Sequence, residues 1–91
     1  EEREAARVRL GVGPKSLVVA GLGRLHPQKN WPLFLDVARA FPEVEFVIAG
    51  TGPEEGRLRA QAGGNVHFAG HRDPCEVLAA ADVFLLTSDY E

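Results

Sequence analysis

Arg24 and Lys29 are the residues of this chain best suited to chemistry. They lie in Gly21-Leu-Gly-Arg-Leu-His-Pro-Gln-Lys-Asn30, between the apolar run Leu17-Val-Val-Ala20 and an apolar-periodic segment that begins at Trp31. That order predicts a strand, a glycine-bearing turn and a helix. A glycine turn at the carboxyl end of a strand is expected to leave backbone N–H groups facing a ligand. Two fixed cations beside such donors suit a polyanion such as a pyrophosphate. Either cation alone reads more readily as a solvated loop charge, since Arg and Lys are mostly exposed. What stands beside them decides.

Two more glycine-led turns follow, Gly50-Thr-Gly-Pro53 and Gly70-His-Arg-Asp73. Familiar phosphate signatures are excluded. Gly21-x-Gly23 would need Gly or Ala at position 26 for the dinucleotide fingerprint, and His26 stands there; the second strand ends Ala49-Gly50, with no acid for a ribose. Gly11-Val-Gly-Pro-Lys-Ser16 resembles a P-loop only superficially, because Pro14 replaces the needed glycine and a strand follows where a helix belongs. A metal site is not expected either. His67, His71, Asp73 and Cys75 are close in sequence, but an extended segment would hold the two histidines about 13 Å apart. His67 reads as a solvent-facing strand residue and Cys75 as a small packing residue.

The elements that must position these residues alternate in type. Residues 2–10 form a short helix ended by Gly11, followed by a strand at 17–21. Trp31–Phe41 is a helix with Phe34, Val37, Ala38 and Phe41 on one stripe, Asn30 as N-cap and Pro32 in the first turn. Strands are expected at 44–49, 65–69 and 82–86, and helices at 53–62, with Leu58 as its apolar contact, and at 75–81, with Asp73 as N-cap before Pro74. Alternating strands and helices predict an α/β fold, an open parallel sheet of about four strands with right-handed helical crossovers. The first, second and fourth strands read as covered on both faces, and the third as an edge. In such a sheet, ligands lie outside the carboxyl ends of the strands. The turns at 21–24, 50–53 and 70–73 and the segment 87–91 therefore share one rim, with the 41–43 and 63–64 connections on the other.

Composition bounds the rest. Ninety-one residues make one small domain or part of a larger one. A net charge of −3 and a pI near 5.6 give no reason to expect a nucleic-acid partner. No apolar run approaches the ~20 residues of a transmembrane helix, and the N-terminus is not a signal peptide. Cys75, the single cysteine, fits a reducing cytoplasm. The absence of methionine and the end of the chain directly after a strand point to a fragment of a longer protein. Arg outnumbers Lys and Ala is abundant, which points to a high-GC bacterial source.

Taken together, Gly23-Arg-Leu25 with Pro27-Gln-Lys29, Ile48-Ala-Gly-Thr-Gly-Pro53, Val66-His-Phe-Ala-Gly70, Ala81-Asp-Val-Phe-Leu85 and Ser88-Asp-Tyr-Glu91 resemble a known family. It is the group 1 (family 4) retaining glycosyltransferases of the GT-B type, which have two Rossmann-like domains, and the match is to the C-terminal, sugar-nucleotide-binding one. The resemblance covers nearly the whole chain from about residue 17. It implies that residues 1–15 are a helix and linker leading in from a missing N-terminal domain, and that 16–91 are an incomplete Rossmann-like donor-binding domain.

The resemblance further implies that Arg24 and Lys29 hold the diphosphate of a nucleoside-diphosphate sugar and stabilise it as leaving group, with no metal and no cofactor. Gly23, Gly50 and Gly52 would lie near the donor. Gly70, His71, Arg72 and Asp73 would contact the base, mostly through backbone. Glu91 would be the first of two glutamates, touching the sugar hydroxyls; the second, eight positions on, falls beyond the chain. The acceptor is unspecified. The location implied is cytoplasmic, with a peripheral place at a membrane open to the parent protein, and the segment alone is expected not to turn over substrate. A sugar-nucleotide epimerase or phosphorylase on the same scaffold remains an alternative, as does a non-catalytic interaction module. A receiver would need acids where Gly21 and Gly70 stand.

Overall fold

A computed structural model of the chain describes residues 2–87. In order, the elements are α1 (Glu2–Leu10), β1 (Val18–Leu22), a 3-10 turn (Pro27–Lys29), α2 (Trp31–Ala40), β2 (Glu45–Ala49), α3 (Glu55–Gln61), β3 (Val66–Gly70), α4 (Pro74–Ala80) and β4 (Val83–Phe84). The four strands form one parallel sheet in the order β3-β2-β1-β4. This is the expected open α/β sheet, Rossmann-like, with β3 at one edge.

Side-chain alternation along the strands assigns the two faces. Val18 and Ala20 of β1 and Val47 and Ala49 of β2 pack with Ala6 and Leu10 of α1 and Val77 and Ala80 of α4. Phe46 and Ile48 of β2 turn the other way, against Trp31, Phe34, Leu35 and Ala38 of α2 and Leu58 of α3. Helices thus cover both faces, as a parallel sheet requires. Gly21 belongs to the second face, where a Cβ would stand 2.7 Å from the Phe34 ring and 2.8 Å from the Trp31 ring. Its bare backbone lets the aromatic start of α2 sit directly on β1.

Helix α1 is tied in by Arg7, which is only 2% exposed. Its guanidinium donates to the carbonyls of Ala80 (2.9 Å), Gly13 (3.3 Å), Pro14 (2.8 Å) and Ser16 (2.9 Å) and pairs with Asp82 at 2.8 Å. Asp82 in turn accepts the Val18 amide at 2.9 Å and pairs with Arg3. The Val18 amide, followed by the charges of Arg3 and Arg7, holds the Asp82 carboxyl below its ordinary pKa against the opposing effect of burial. At the same end of the sheet, Asn65 Nδ2 donates to the carbonyls of Ala38, Phe41 and Val44, closing the end of α2 onto β2.

Several sequence expectations change. Asn30 is not a side-chain cap: it sits at φ 51°, ψ 50°, and its side chain makes no capping hydrogen bond. The 3-10 turn before it brings the chain in so tightly that a left-handed residue is needed, which Asn tolerates. Phe41 leaves the helical stripe, because α2 stops at Ala40 and Phe41 adopts φ −130°, ψ 69°; it is 49% exposed, and Trp31 and Leu35 fill the core instead. β3 is as long as β1 and β2, whereas β4 is a two-residue edge with Val83 and Phe84 exposed rather than covered. Cys75 is exposed in the first turn of α4 rather than packed.

Candidate functional site

The carboxyl ends of β1, β2 and β3 share one rim, and the backbone stitches them together beyond the strands. The Gly23 amide donates to the Ala49 carbonyl at 3.0 Å, Leu25 to Thr51 at 3.0 Å, Gly50 to Gly70 at 2.8 Å and Glu54 to Leu25 at 3.1 Å. This corrects one expectation: the Gly23 and Gly50 amides are engaged in joining the turns and do not face a ligand. What glycine supplies here is closeness. Gly50 has φ +150°, and a Cβ on it would overlap the Gly23 carbonyl oxygen and stand 2.9 Å from its carbon. On Gly52 a Cβ would meet the Leu25 backbone at 2.5–2.9 Å. The second turn can lie against the first only because neither position has a side chain.

A cleft of about 290 Å³ opens over this stitched rim, lined by Leu22, Gly23, Arg24, Ala49, Gly50, Thr51, His71 and Arg72. None of these residues is acidic, and two are arginines. The structure therefore brings Gly23, Arg24, Gly50, His71 and Arg72 of the expected site together. Lys29 adjoins them: its Cε and Cδ lie 3.6 and 3.8 Å from the point where a Cβ on Gly23 would stand, so its stem runs against the cleft lining. The 3-10 turn Pro27–Lys29 makes this approach, with the Lys29 amide bonded to the His26 carbonyl.

Gly52, Gly70 and Asp73 are not among the residues that line the cleft. Gly52 packs on Leu25, and Gly70, at φ +72°, gives its carbonyl to Gly50. Asp73 caps α4 as its sequence context predicts, accepting the Cys75 amide at 2.9 Å. Arg72 lines the cleft but also braces the fold, donating to the carbonyls of Ala69 (2.9 Å) and Arg9 (3.3 Å), with Glu76 at 3.7 Å. Glu91 lies outside the described residues.

His67, His71, Asp73 and Cys75 do not converge. His67 pairs with Glu45 across β2 and β3 rather than facing solvent alone, and no cluster of three His, Cys, Asp or Glu side chains among the described residues is placed to hold a metal ion. No helix among them is long and apolar enough to cross a membrane.

Two contacts at the site are not legible in the sequence. The indole N–H of Trp31 donates to the Arg24 carbonyl at 2.7 Å, and Thr87 Oγ1 donates to the Lys29 carbonyl at 3.1 Å. The pattern marks Trp31 as the first apolar residue of a helix but does not say where its one donor points. Thr51 reaches the lining through the Gly50 turn, and only the cleft itself reveals it.

Comparison with known proteins supplies the context. The family described as "Glycosyl transferases group 1" matches residues 16–91. A D-inositol 3-phosphate glycosyltransferase of Mycolicibacterium gilvum is 42% identical over 69 residues, covering 76% of this chain and 15% of the relative. A GDP-mannose-dependent monoacylated alpha-(1-6)-phosphatidylinositol monomannoside mannosyltransferase of Corynebacterium glutamicum is 33% identical, covering 94% of this chain and 25% of the relative. Among solved structures, Anabaena HepE in complex with UDP and glucose superposes with a TM-score of 0.79 at 28% identity, over 96% of this chain and 27% of HepE. The chain spans no more than about a quarter of the length of these curated relatives.

Proposed function

Because the chain belongs to the group 1 glycosyl transferases, we propose that it is the donor-binding part of a retaining, metal-independent glycosyltransferase that moves a sugar from a nucleoside diphosphate to an acceptor. The observation that carries this reading is the cleft, with no acid among its described lining residues, into which the β1, β2 and β3 turns deliver Arg24 and Arg72, with Lys29 laid along its edge. HepE, similar over almost the whole chain, holds UDP and glucose, which favours a nucleoside diphosphate as the bound group.

In this reading Arg24 and Lys29 neutralise the diphosphate. Charge grows on the leaving oxygen as the glycosidic bond breaks, so cations fixed in advance stabilise the transition state more than the ground state. The 70–73 turn receives the base through its backbone and His71, since the side chains of Arg72 and Asp73 already have structural partners. Glu91 meets the sugar hydroxyls. Acceptor binding and turnover belong to the parent protein, and a cytoplasmic location is part of the same proposal.

The test is a titration of the chain with UDP, GDP and ADP by calorimetry, with Lys29→Ala beside it. One charge-assisted contact is worth about 1.5–3 kcal/mol, so Lys29→Ala should weaken binding roughly tenfold to a hundredfold. Equal affinity in both proteins would refute the assignment of Lys29. In the parent enzyme the same substitution should depress kcat more than it raises KM for the donor.

A further inference from the structure

Both residues assigned to the diphosphate have their backbone carbonyls held by a side-chain donor from outside the turn, Thr87 for Lys29 and Trp31 for Arg24. The indole is the more constrained of the two donors. Trp31 is 4% exposed, meets Phe34 edge-to-face at 5.3 Å, and lies so close under β1 that only a glycine fits at position 21. Its ring also reaches under the turn, with Cζ2 3.8 Å from the point where a Cβ on Gly23 would stand. A buried indole has one donor and needs one acceptor. The acceptor it takes is the carbonyl of the exposed arginine on the cleft. The Gly23 amide is pinned to Ala49 on one side of that arginine and the Leu25 amide to Thr51 on the other, and the Arg24 carbonyl also accepts the nearby His26 amide at 2.9 Å, so the Trp31 bond is the side-chain member of four fastenings around Arg24.

We propose that Trp31 is a positioning residue of the cleft: its indole N–H fixes the Arg24 peptide and thereby aims the Arg24 guanidinium at a bound diphosphate. The inference rests on the diphosphate reading above. A cation aimed before the ligand arrives needs less ordering on binding. Without the N–H, the Arg24 carbonyl is left to the His26 amide two residues on, within the same turn, and the turn regains freedom that the ligand must restrain.

Trp31 is the only tryptophan, so one replacement isolates the effect. Chemical synthesis of the chain with 3-benzothienylalanine at position 31 keeps the bicyclic shape and puts sulfur in place of N–H. The native chain, this analogue, Trp31→Phe, Arg24→Ala, Lys29→Ala and the Trp31→Phe/Arg24→Ala double variant are titrated with inorganic pyrophosphate and with UDP, each well below its own Tm. The analogue should bind about threefold to tenfold more weakly, as expected for loss of one hydrogen bond. The Trp31→Phe penalty should vanish once Arg24 is alanine, a non-additivity that a merely structural role would not produce. Unchanged affinity of the analogue, or the same Trp31→Phe penalty in both backgrounds, overturns the positioning role; the cleft reading survives if Arg24→Ala and Lys29→Ala still lose affinity. A native chain that binds neither ligand at millimolar concentration overturns the cleft reading, and the role of Trp31 with it.

Discussion

Replacing Gly50 by alanine adds one methyl group at the most crowded point of the rim. The new Cβ would overlap the Gly23 carbonyl oxygen, so the β1 and β2 turns must separate. Separation strains or breaks the hydrogen bonds from Gly23 to Ala49 and from Leu25 to Thr51. Two such bonds contribute about 0.5–1.5 kcal/mol each, and an alanine held at φ +150° adds about 1–3 kcal/mol of backbone strain. The expected loss is therefore about 2–6 kcal/mol, a large part of the 5–15 kcal/mol typical of a whole domain. Urea denaturation followed by circular dichroism measures it, and calorimetric titration with pyrophosphate reports whether the cleft survives. Gly56 is the matched control: it lies inside α3, where an added methyl would meet nothing within 4 Å, so Gly56→Ala should stabilise by about 0.5–1 kcal/mol. A Gly50→Ala chain with native stability and native affinity would refute the claim that the two turns are locked together.

Arg7→Met should cost about 3–5 kcal/mol by the same denaturation assay, because it removes the donor to four carbonyls and one of the two arginines paired with Asp82 at the α1 end of the sheet. Asp82 also sets a pH dependence. Its pKa is lowered in the fold, first by the Val18 amide and then by Arg3 and Arg7, so its contribution is complete above the unfolded value of about 3.9 and is lost as pH falls through the lower folded value. Asp82→Asn should therefore show a shallower loss of stability on acidification below about pH 4 than the native chain, measured as the shift of the urea midpoint with pH.

Much of this fold is written in local pattern. Continuous apolar runs give β1 and β2, the helical stripe gives α2, and Asp73-Pro74 marks the start of α4, because each signal depends on neighbours in sequence. Asn30 shows where that logic fails: a good capping residue is also a good left-handed residue, and the 3-10 turn at Pro27–Lys29 selects the second use. Periodicity assigns Phe41 to the core, but the helix ends one residue before it. The rim is legible as a set of glycine turns, yet their task is not. Whether a glycine amide faces a ligand or an adjoining turn depends on the register of β1 and β2, which pair across more than twenty intervening residues. The Trp31 and Thr87 hydrogen bonds belong to the same class of long-range facts.

The overlap of Gly50 with the Gly23 carbonyl also channels how this scaffold can diversify. A side chain can be added neither at Gly50 on the cleft nor at Gly52 beside it without prising the bends apart, and Arg72 is committed to α1. Thr51 and His71 are different: both are exposed on the cleft, and Thr51 serves the fold through its carbonyl, which any side chain would leave in place. On the proposed donor-binding reading, the side chains at those two positions can change while the joined turns beneath them are left intact.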